Sequence, residues 1–139
     1  MNSEDEALQG YLEALVWTCL VCTEDAEDSE EPLDALISAE DIPAAIVALA
    51  RAEVTDFLSG LGDLSDHPEC GDPDRVGHDF YLTREGHGAG FWDGDYPECG
   101  EQLTRLARAH GGCDADAYRV PGEGIYLSYG SVTELVYEE

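Results

Sequence analysis

The residues best suited to do chemistry lie close together in the sequence, between positions 79 and 93. His87 has Asp79, Arg84 and Asp93 near it, and a histidine beside carboxylates and a cation is a common acid–base arrangement. However, the chain contains no Gly-x-Ser-x-Gly or His-Glu-x-x-His motif, and its glycine-rich stretch lacks the lysine of a phosphate-binding loop. We therefore expect a protein that is not an enzyme and has no catalytic residues.

Cysteine and histidine side chains are the second candidate for chemistry. Cys70, Cys99 and Cys113, with His67 or His110, offer the sulfur and nitrogen ligands that zinc prefers. The three cysteines are 29 and 14 residues apart, and these intervals match no compact zinc module. The sequence therefore predicts no metal site and no cofactor.

The five cysteines are expected to be reduced thiols with structural roles, because their number is odd and no secretory signal precedes them. Cys19 and Cys22 form the only Cys-x-x-Cys pair and lie one helical turn apart in an apolar stretch, which is typical of small core residues. A disulfide between Cys70 and Cys99 is the alternative, and such bonds are rare in the cytoplasm.

The stretch that must position His87 has the pattern of a β-hairpin over residues 79–93. Phe80 and Leu82 alternate with Tyr81 and Thr83, which is typical of a strand with one apolar face. Three glycines then allow a tight turn: Gly86, Gly88 and Gly90. We expect this hairpin to be central to the core, with His87 at its tip.

The same stretch resembles a group of small, functionally unassigned phage and bacterial proteins that share the pattern D-F-x-L-T-R-x-G-H-G-x-G-F-W-D. The matching residues are Asp79, Phe80, Leu82, Thr83, Arg84, Gly86, His87, Gly88, Gly90, Phe91, Trp92 and Asp93. The pattern usually has Asn where Glu85 stands and Trp where Tyr81 stands, so the turn departs from the simplest two-residue type. The resemblance extends loosely to 32–34 and 102–104. It implies a shared fold and a phage-like setting, but no activity.

Helical and strand patterns predict the remaining elements of a single α+β domain over residues 1–139. They are a helix over 4–22, an acidic loop at 24–31, a helix from a cap at Asp41 to Gly60, a linking loop at 64–77, a helix over 100–110, a hairpin of 117–120 with 125–129, and a tail at 131–139. The tetrapeptide Pro-Glu-Cys-Gly occurs at 68–71 and 97–100 and is interpreted as two tight turns. Two N-terminal helices followed by hairpin, helix and hairpin predict a mainly antiparallel four-stranded sheet covered by helices.

The charge of the chain is its most unusual property. Thirty-two acidic residues face six arginines and no lysine, which gives a formal net charge of −26. Such a protein is repelled by nucleic acid and by anionic membranes, so the expected partner is a basic protein surface. The densest acidic block is the expected binding surface: Glu24, Asp25, Glu27, Asp28, Glu30 and Glu31. Further candidate residues lie in the hairpin motif: Asp79, Arg84, His87, Trp92 and Asp93.

Two explanations fit this charge. The first is a non-enzymatic inhibitor or decoy of phage type, which imitates the phosphates of DNA and occupies the basic groove of a nucleic-acid-binding or defence protein. The second is adaptation to high salt, in a domain of unknown role with a small ligand or metal site at the hairpin. The N-terminus lacks the pattern of a signal peptide and the longest apolar run, 14–22, is too short to span a membrane, so we expect a cytoplasmic protein. The oligomeric state and the target stay open.

Overall fold

The computed structural model of the protein describes residues 3–22, 31–86, 90–91 and 96–138. These residues form four α-helices and five β-strands, numbered in chain order. They are α1 (Ser3–Thr18), β1 (Leu20–Cys22), β2 (Glu31–Pro32), α2 (Ala44–Ser59), α3 (Pro73–Glu85), α4 (Gly100–Arg108), β3 (Asp116–Val120), β4 (Gly124–Tyr129) and β5 (Val132–Glu138). The predicted α+β class is therefore confirmed. No helix in the described part of the chain is long and apolar enough to cross a membrane.

The chain divides into two compact units. The helical unit comprises residues 1–14 and 49–112, and the sheet unit comprises residues 15–48 and 113–139. Helices α1 and α2 each contribute residues to both units. That residues 1–139 form one domain stays a prediction.

In the helical unit, the predicted hairpin over 79–93 is wrong, because residues 79–85 form the second half of helix α3. The helix begins with Asp72 as its N-cap, whose side chain accepts the N–H of Arg75, and with Pro73 in its first turn. It ends at Gly86, which adopts a left-handed φ of 71°. Asp72-Pro73 falls in the predicted loop at 64–77 and Gly86 in the predicted turn, and the apolar residues between them follow the helical period instead of the alternating period of a strand.

Packing explains why residues with strand preference are helical here. A Cβ atom at Gly77 of α3 would overlap the backbone carbonyl of Ala7, so only glycine lets α3 approach α1 this closely. Next to this contact, the ring of Phe80 stacks on that of Phe57, with centroids 4.0 Å apart and planes 6° apart. Both rings are fully buried. Tertiary packing of this kind overrides local strand propensity.

In the sheet unit, the strands have the order β2-β1-β3-β4-β5, with β1 parallel to β3 and all other pairs antiparallel. The prediction of a mainly antiparallel four-stranded sheet is therefore wrong. The difference arises at the end of α1, which stops at Thr18 instead of continuing to residue 22. Leu20–Cys22 is the parallel strand β1, and Cys22 is exposed instead of lying in a helical core.

The C-terminal hairpin was predicted correctly, since β3 and β4 pair antiparallel with Tyr118 opposite Tyr126. The tail adds strand β5 to its free edge. One face of the sheet carries the core of this unit: Val21, Ala117, Ile125, Leu127 and Tyr129 are buried.

The structure confirms the helices predicted after Asp41 and at 100–110, which are α2 and α4. Asp41 itself does not cap α2, because its carboxylate accepts the backbone N–H of Ser38 in a preceding 3-10 turn. The predicted linking loop at 64–77 contains 3-10 turns at Gly62–Asp66 and Pro68–Cys70 and the first turns of α3.

Candidate functional site

Two residues of the hairpin motif anchor the segment that follows α3. The hydroxyl of Tyr96 donates a hydrogen bond of 2.8 Å to the carboxylate of Asp79, the only buried acidic side chain among the described residues. The hydroxyl of Thr83 accepts the backbone N–H of Phe91 at 3.2 Å. Burial and the bond to Asp79 raise the pKa of Tyr96. These side chains therefore hold the chain in place and are not free to act on a substrate.

Arg84 is a structural residue of the same kind. Its side chain is only 3% exposed and forms an ion pair with Glu53. The guanidinium donates to the hydroxyl of Tyr11 and to the backbone carbonyls of residues 110–112. It also lies over the ring of Phe80, 5.4 Å from the centroid. Arg84, which belongs to α3, therefore links α3 to α1, to α2 and to residues 110–112, where the helical unit ends.

The structure does not bring the predicted acid–base residues into a described site. Asp79 and Arg84 are occupied by the contacts above, while His87, Trp92 and Asp93 lie outside the described residues. Most of the predicted acidic surface also lies outside them: Glu24, Asp25, Glu27, Asp28 and Glu30. Glu31, the remaining member, opens β2 and forms an ion pair of 3.2 Å with Arg119.

The two Pro-Glu-Cys-Gly sequences come together in the helical unit. We call residues 67–71 and 96–100 the turn pair. The carboxylate of Glu69 accepts the backbone N–H groups of Glu98 at 3.1 Å and Cys99 at 2.9 Å. Desolvation by itself would raise the pKa of the Glu69 carboxyl, but these two hydrogen bonds lower it. Both sequences do form turns, but they also bind each other.

His67 completes the turn pair. Its Nδ1 accepts the backbone N–H of Glu69 at 3.1 Å, and its Nε2 lies 2.8 Å from the carboxylate of Glu98. A ligand atom of His67 and ligand atoms of Glu69 and Cys99 all lie within 4.8 Å of one another. Among the described residues, no other group of three such side chains is as close.

Two buried thiols adjoin this cluster. Cys70 and Cys99 are neighbours in the fold, and each is a free cysteine. Burial raises the pKa of Cys70 to about 11, and the neighbouring Cys99 and Glu69 add to the effect. Burial, followed by the charge of Glu69, likewise raises the pKa of Cys99. Without a cation, both side chains are therefore neutral thiols at neutral pH.

His67 also lies on the wall of a cavity of about 720 Å³ between the end of α2 and α4. Arg105, which shares this wall, also lines a neighbouring cavity of about 590 Å³. The turn pair is therefore reached directly from a surface depression, although its two thiols are buried.

The sheet unit offers a second candidate surface. Cys22, Tyr118, Tyr126 and Leu135 are register partners across four adjacent strands, so their side chains share one face of the sheet. We call this row the open face. Tyr118 is 39% exposed and Leu135 is 37% exposed, and the rings of Tyr118 and Tyr126 stack with centroids 5.7 Å apart.

Acidic side chains surround the open face. The hydroxyl of Tyr126 donates a 2.9 Å hydrogen bond to Glu123, which raises the pKa of the tyrosine. Asp116 precedes Tyr118 on β3 by two residues, so it lies on the same side of the sheet, and it is exposed. Glu138 on β5 is opposite Gly124 and is also exposed. The open face therefore combines exposed apolar side chains at its centre with carboxylates around them.

Sequence reasoning missed both surfaces, for different reasons. The repeat of Pro-Glu-Cys-Gly is the available signal for the turn pair, but a repeat does not show that its two copies bind each other, and the spacing of the cysteines matches no compact zinc module. The open face has no sequence signal of its own. The helix predicted over 4–22 covers the residues of β1, and the predicted tail at 131–139 has no partner strand, whereas in the structure it pairs with β4 as β5.

Comparison with models of known families, with curated proteins and with solved structures finds no match to this chain. The resemblance of residues 79–93 to the unassigned phage and bacterial group therefore stays a prediction.

Proposed function

We propose that the protein is a non-enzymatic inhibitor or decoy that binds a basic, nucleic-acid-binding protein through the open face. The observation that carries this proposal is the row formed by Cys22, Tyr118, Tyr126 and Leu135, an apolar strip in a strongly acidic unit. In this role the protein acts in the cytoplasm and, in keeping with the resemblance noted above, in a phage-like setting.

The composition of the open face supports a protein partner. Exposed tyrosines are enriched at the centre of protein interfaces, where they bury a large area with little loss of conformational entropy. The carboxylates of Asp116, Glu123 and Glu138 would form the polar rim around this centre. A purely electrostatic decoy needs no apolar row, so we expect the apolar contacts to supply part of the affinity and the carboxylates to supply the choice of partner.

Charge supports a basic partner over a second copy of the chain. The sheet unit has fifteen acidic residues and one arginine, a net charge of −14. The arginine, Arg119, is already paired with Glu31. Two such units repel each other at low salt, whereas a groove that binds phosphates attracts them.

The test is capture of binding proteins on the immobilised protein at low salt, followed by elution with duplex DNA. We expect DNA to release a specific partner, and the affinity for that partner to fall steeply as salt rises. The variant Tyr118→Ser/Leu135→Ser should weaken binding at least 10-fold, because both side chains lie in the contact. The matched control, Leu64→Ser/Leu106→Ser, changes partly exposed leucines of the helical unit and should bind as wild type. Recovery of no partner that DNA releases, or equal binding by both variants, would refute the proposal.

One observation favours salt adaptation as a second candidate. The helical unit has seventeen acidic residues and five arginines, a net charge of −12, so the charge is spread almost evenly over the two units. A protein adapted to salt needs such a spread to keep its whole surface hydrated. If the charge is an adaptation to salt, the folded state requires molar salt and DNA releases no partner from the immobilised protein. Circular dichroism at physiological ionic strength separates the two candidates.

A further inference from the structure

We infer that the turn pair is a zinc-binding site, in which His67, Glu69, Cys70 and Cys99 hold the ion. The site belongs to the helical unit and does not depend on the function proposed for the open face. The spacing of the cysteines predicted no metal site, but the fold brings together a set of nitrogen, oxygen and sulfur donors that sequence distance had separated.

The hydrogen bonds of His67 prepare it to bind a metal ion. A backbone N–H can only donate, so Nδ1 of His67, which accepts from Glu69, carries a lone pair and no proton. The ring proton is therefore on Nε2, which donates to the carboxylate of Glu98 at 2.8 Å. Metal-binding histidines usually donate their second ring N–H to a carboxylate in this way. When zinc binds, the ion replaces the N–H of Glu69 at Nδ1, and the thiols of Cys70 and Cys99 each release a proton to solvent.

The donor atoms are close to the spacing that zinc requires. Bond lengths of about 2.0–2.3 Å place the ligand atoms of a tetrahedral site roughly 3.3–3.8 Å apart. Those of His67, Glu69 and Cys99 lie within 4.8 Å of one another before any ion is bound. His67 and Glu69 are only partly buried, so small side-chain rotations close the difference. Cys70 follows Glu69 directly in the chain and neighbours Cys99, and we infer that its buried thiol supplies the fourth ligand when the ion binds.

The order of the ligands along the chain also fits zinc. His67 and Cys70 are separated by two residues, which is the short spacing that one turn provides to a metal. Cys99 comes from the second copy of the same Pro-Glu-Cys-Gly turn, held against the first by Glu69. Two sulfur ligands and one imidazole favour zinc over magnesium or calcium, which prefer oxygen ligands alone.

The test uses protein freed of metal with a chelator and then titrated with Zn²⁺ in excess Mg²⁺, which occupies the many exposed carboxylates. We expect one equivalent of Zn²⁺ to bind and to raise the melting temperature. Co²⁺ in place of Zn²⁺ should give an intense thiolate-to-cobalt charge-transfer band, which carboxylate binding cannot produce.

Matched variants locate the site. His67→Gln and Cys99→Ser should each weaken zinc binding by more than 100-fold, while Glu98→Ala, which removes only the hydrogen-bond partner of His67, should cost about 10- to 100-fold. His78→Gln and Cys22→Ser change the same residue types elsewhere and should bind zinc as wild type.

If Cys99→Ser fails to fold, the variant of the partly exposed His67 decides the question. Absence of the charge-transfer band in wild type, or wild-type affinity in folded His67→Gln, would overturn the inference.

Discussion

The helical unit and the sheet unit differ in how far their aromatic residues are exposed, since the exposed large apolar side chains among the described residues all lie in the sheet unit. In the helical unit, the rings of Tyr11, Phe57, Phe80 and Phe91 are fully buried, and so is nearly the whole side chain of Arg84. In the sheet unit, Tyr118 and Tyr137 are exposed, and Arg119 forms an ion pair at the surface. The first unit uses these rings and Arg84 to hold its own helices together, whereas the second leaves the rings of Tyr118 and Tyr137 partly exposed.

This difference shows why residue type alone is a poor guide to function. Asp79 and Arg84 have the side chains of a catalytic site but bind their own chain, to Tyr96 and Glu53. The open face has no residue pattern associated with catalysis, yet Tyr118 and Leu135 are accessible. What a side chain contacts decides its role, and contacts depend on the fold.

The largest expected effect is loss of an aromatic ring from the helical unit. Phe80→Ala should lower the free energy of unfolding by about 3–5 kcal/mol, because it leaves a cavity against Phe57. Its counterpart in the sheet unit, Tyr118→Ala, should cost less than about 1 kcal/mol, since that ring is already exposed. Chemical denaturation measures both values. Similar losses of unfolding free energy in the two variants would mean that the ring of Tyr118 contributes as much to stability as the buried ring of Phe80.

The next effect concerns the two arginines. Arg84→Met should destabilise the protein by about 2–4 kcal/mol, because Glu53 and several carbonyls lose their partner. Arg119→Met, which removes a surface ion pair, should cost no more than about 1 kcal/mol. The comparison uses the midpoints of urea unfolding. An Arg84→Met protein as stable as wild type would show that the network around this residue is not structural.

A smaller effect is expected from salt. The net charges of −12 and −14 oppose folding in both units, so screening should raise stability between roughly 0.01 and 0.5 M salt, where the Debye length falls from about 30 Å to a few Å. Hydrogen exchange should slow in both units alike, because their charges are similar. A fall in stability over this range would mean that surface ion pairs outweigh the repulsion.

The parts of the fold that could be predicted from the sequence are those with local signals. Helix α4 has glycines at both ends and β3–β4 has a glycine-rich turn, so each was recognised. Helix α3 was missed although Asp72-Pro73 and Gly86 mark its ends, because Phe80, Tyr81 and Thr83 favour strands in isolation. Within α3, Gly77 lies against Ala7, a contact between residues 70 positions apart that no local pattern reveals.

The candidate sites also depend on contacts between residues that are far apart in the sequence. The turn pair joins His67 to Glu98, and strand β1 pairs with β3, which begins almost a hundred residues later. No local pattern encodes such a pairing, since three residues of β1 carry too little information to choose a partner. Only the repeated tetrapeptide pointed to one of these contacts in advance.

The most direct test of the central claim is hydrogen–deuterium exchange of the protein alone and bound to the partner that DNA releases. The account predicts new protection in β3, β4 and β5, where Tyr118, Tyr126 and Leu135 form the open face, and little change in α3 and α4. Protection confined to the helical unit, with unchanged exchange in the three strands, would contradict it.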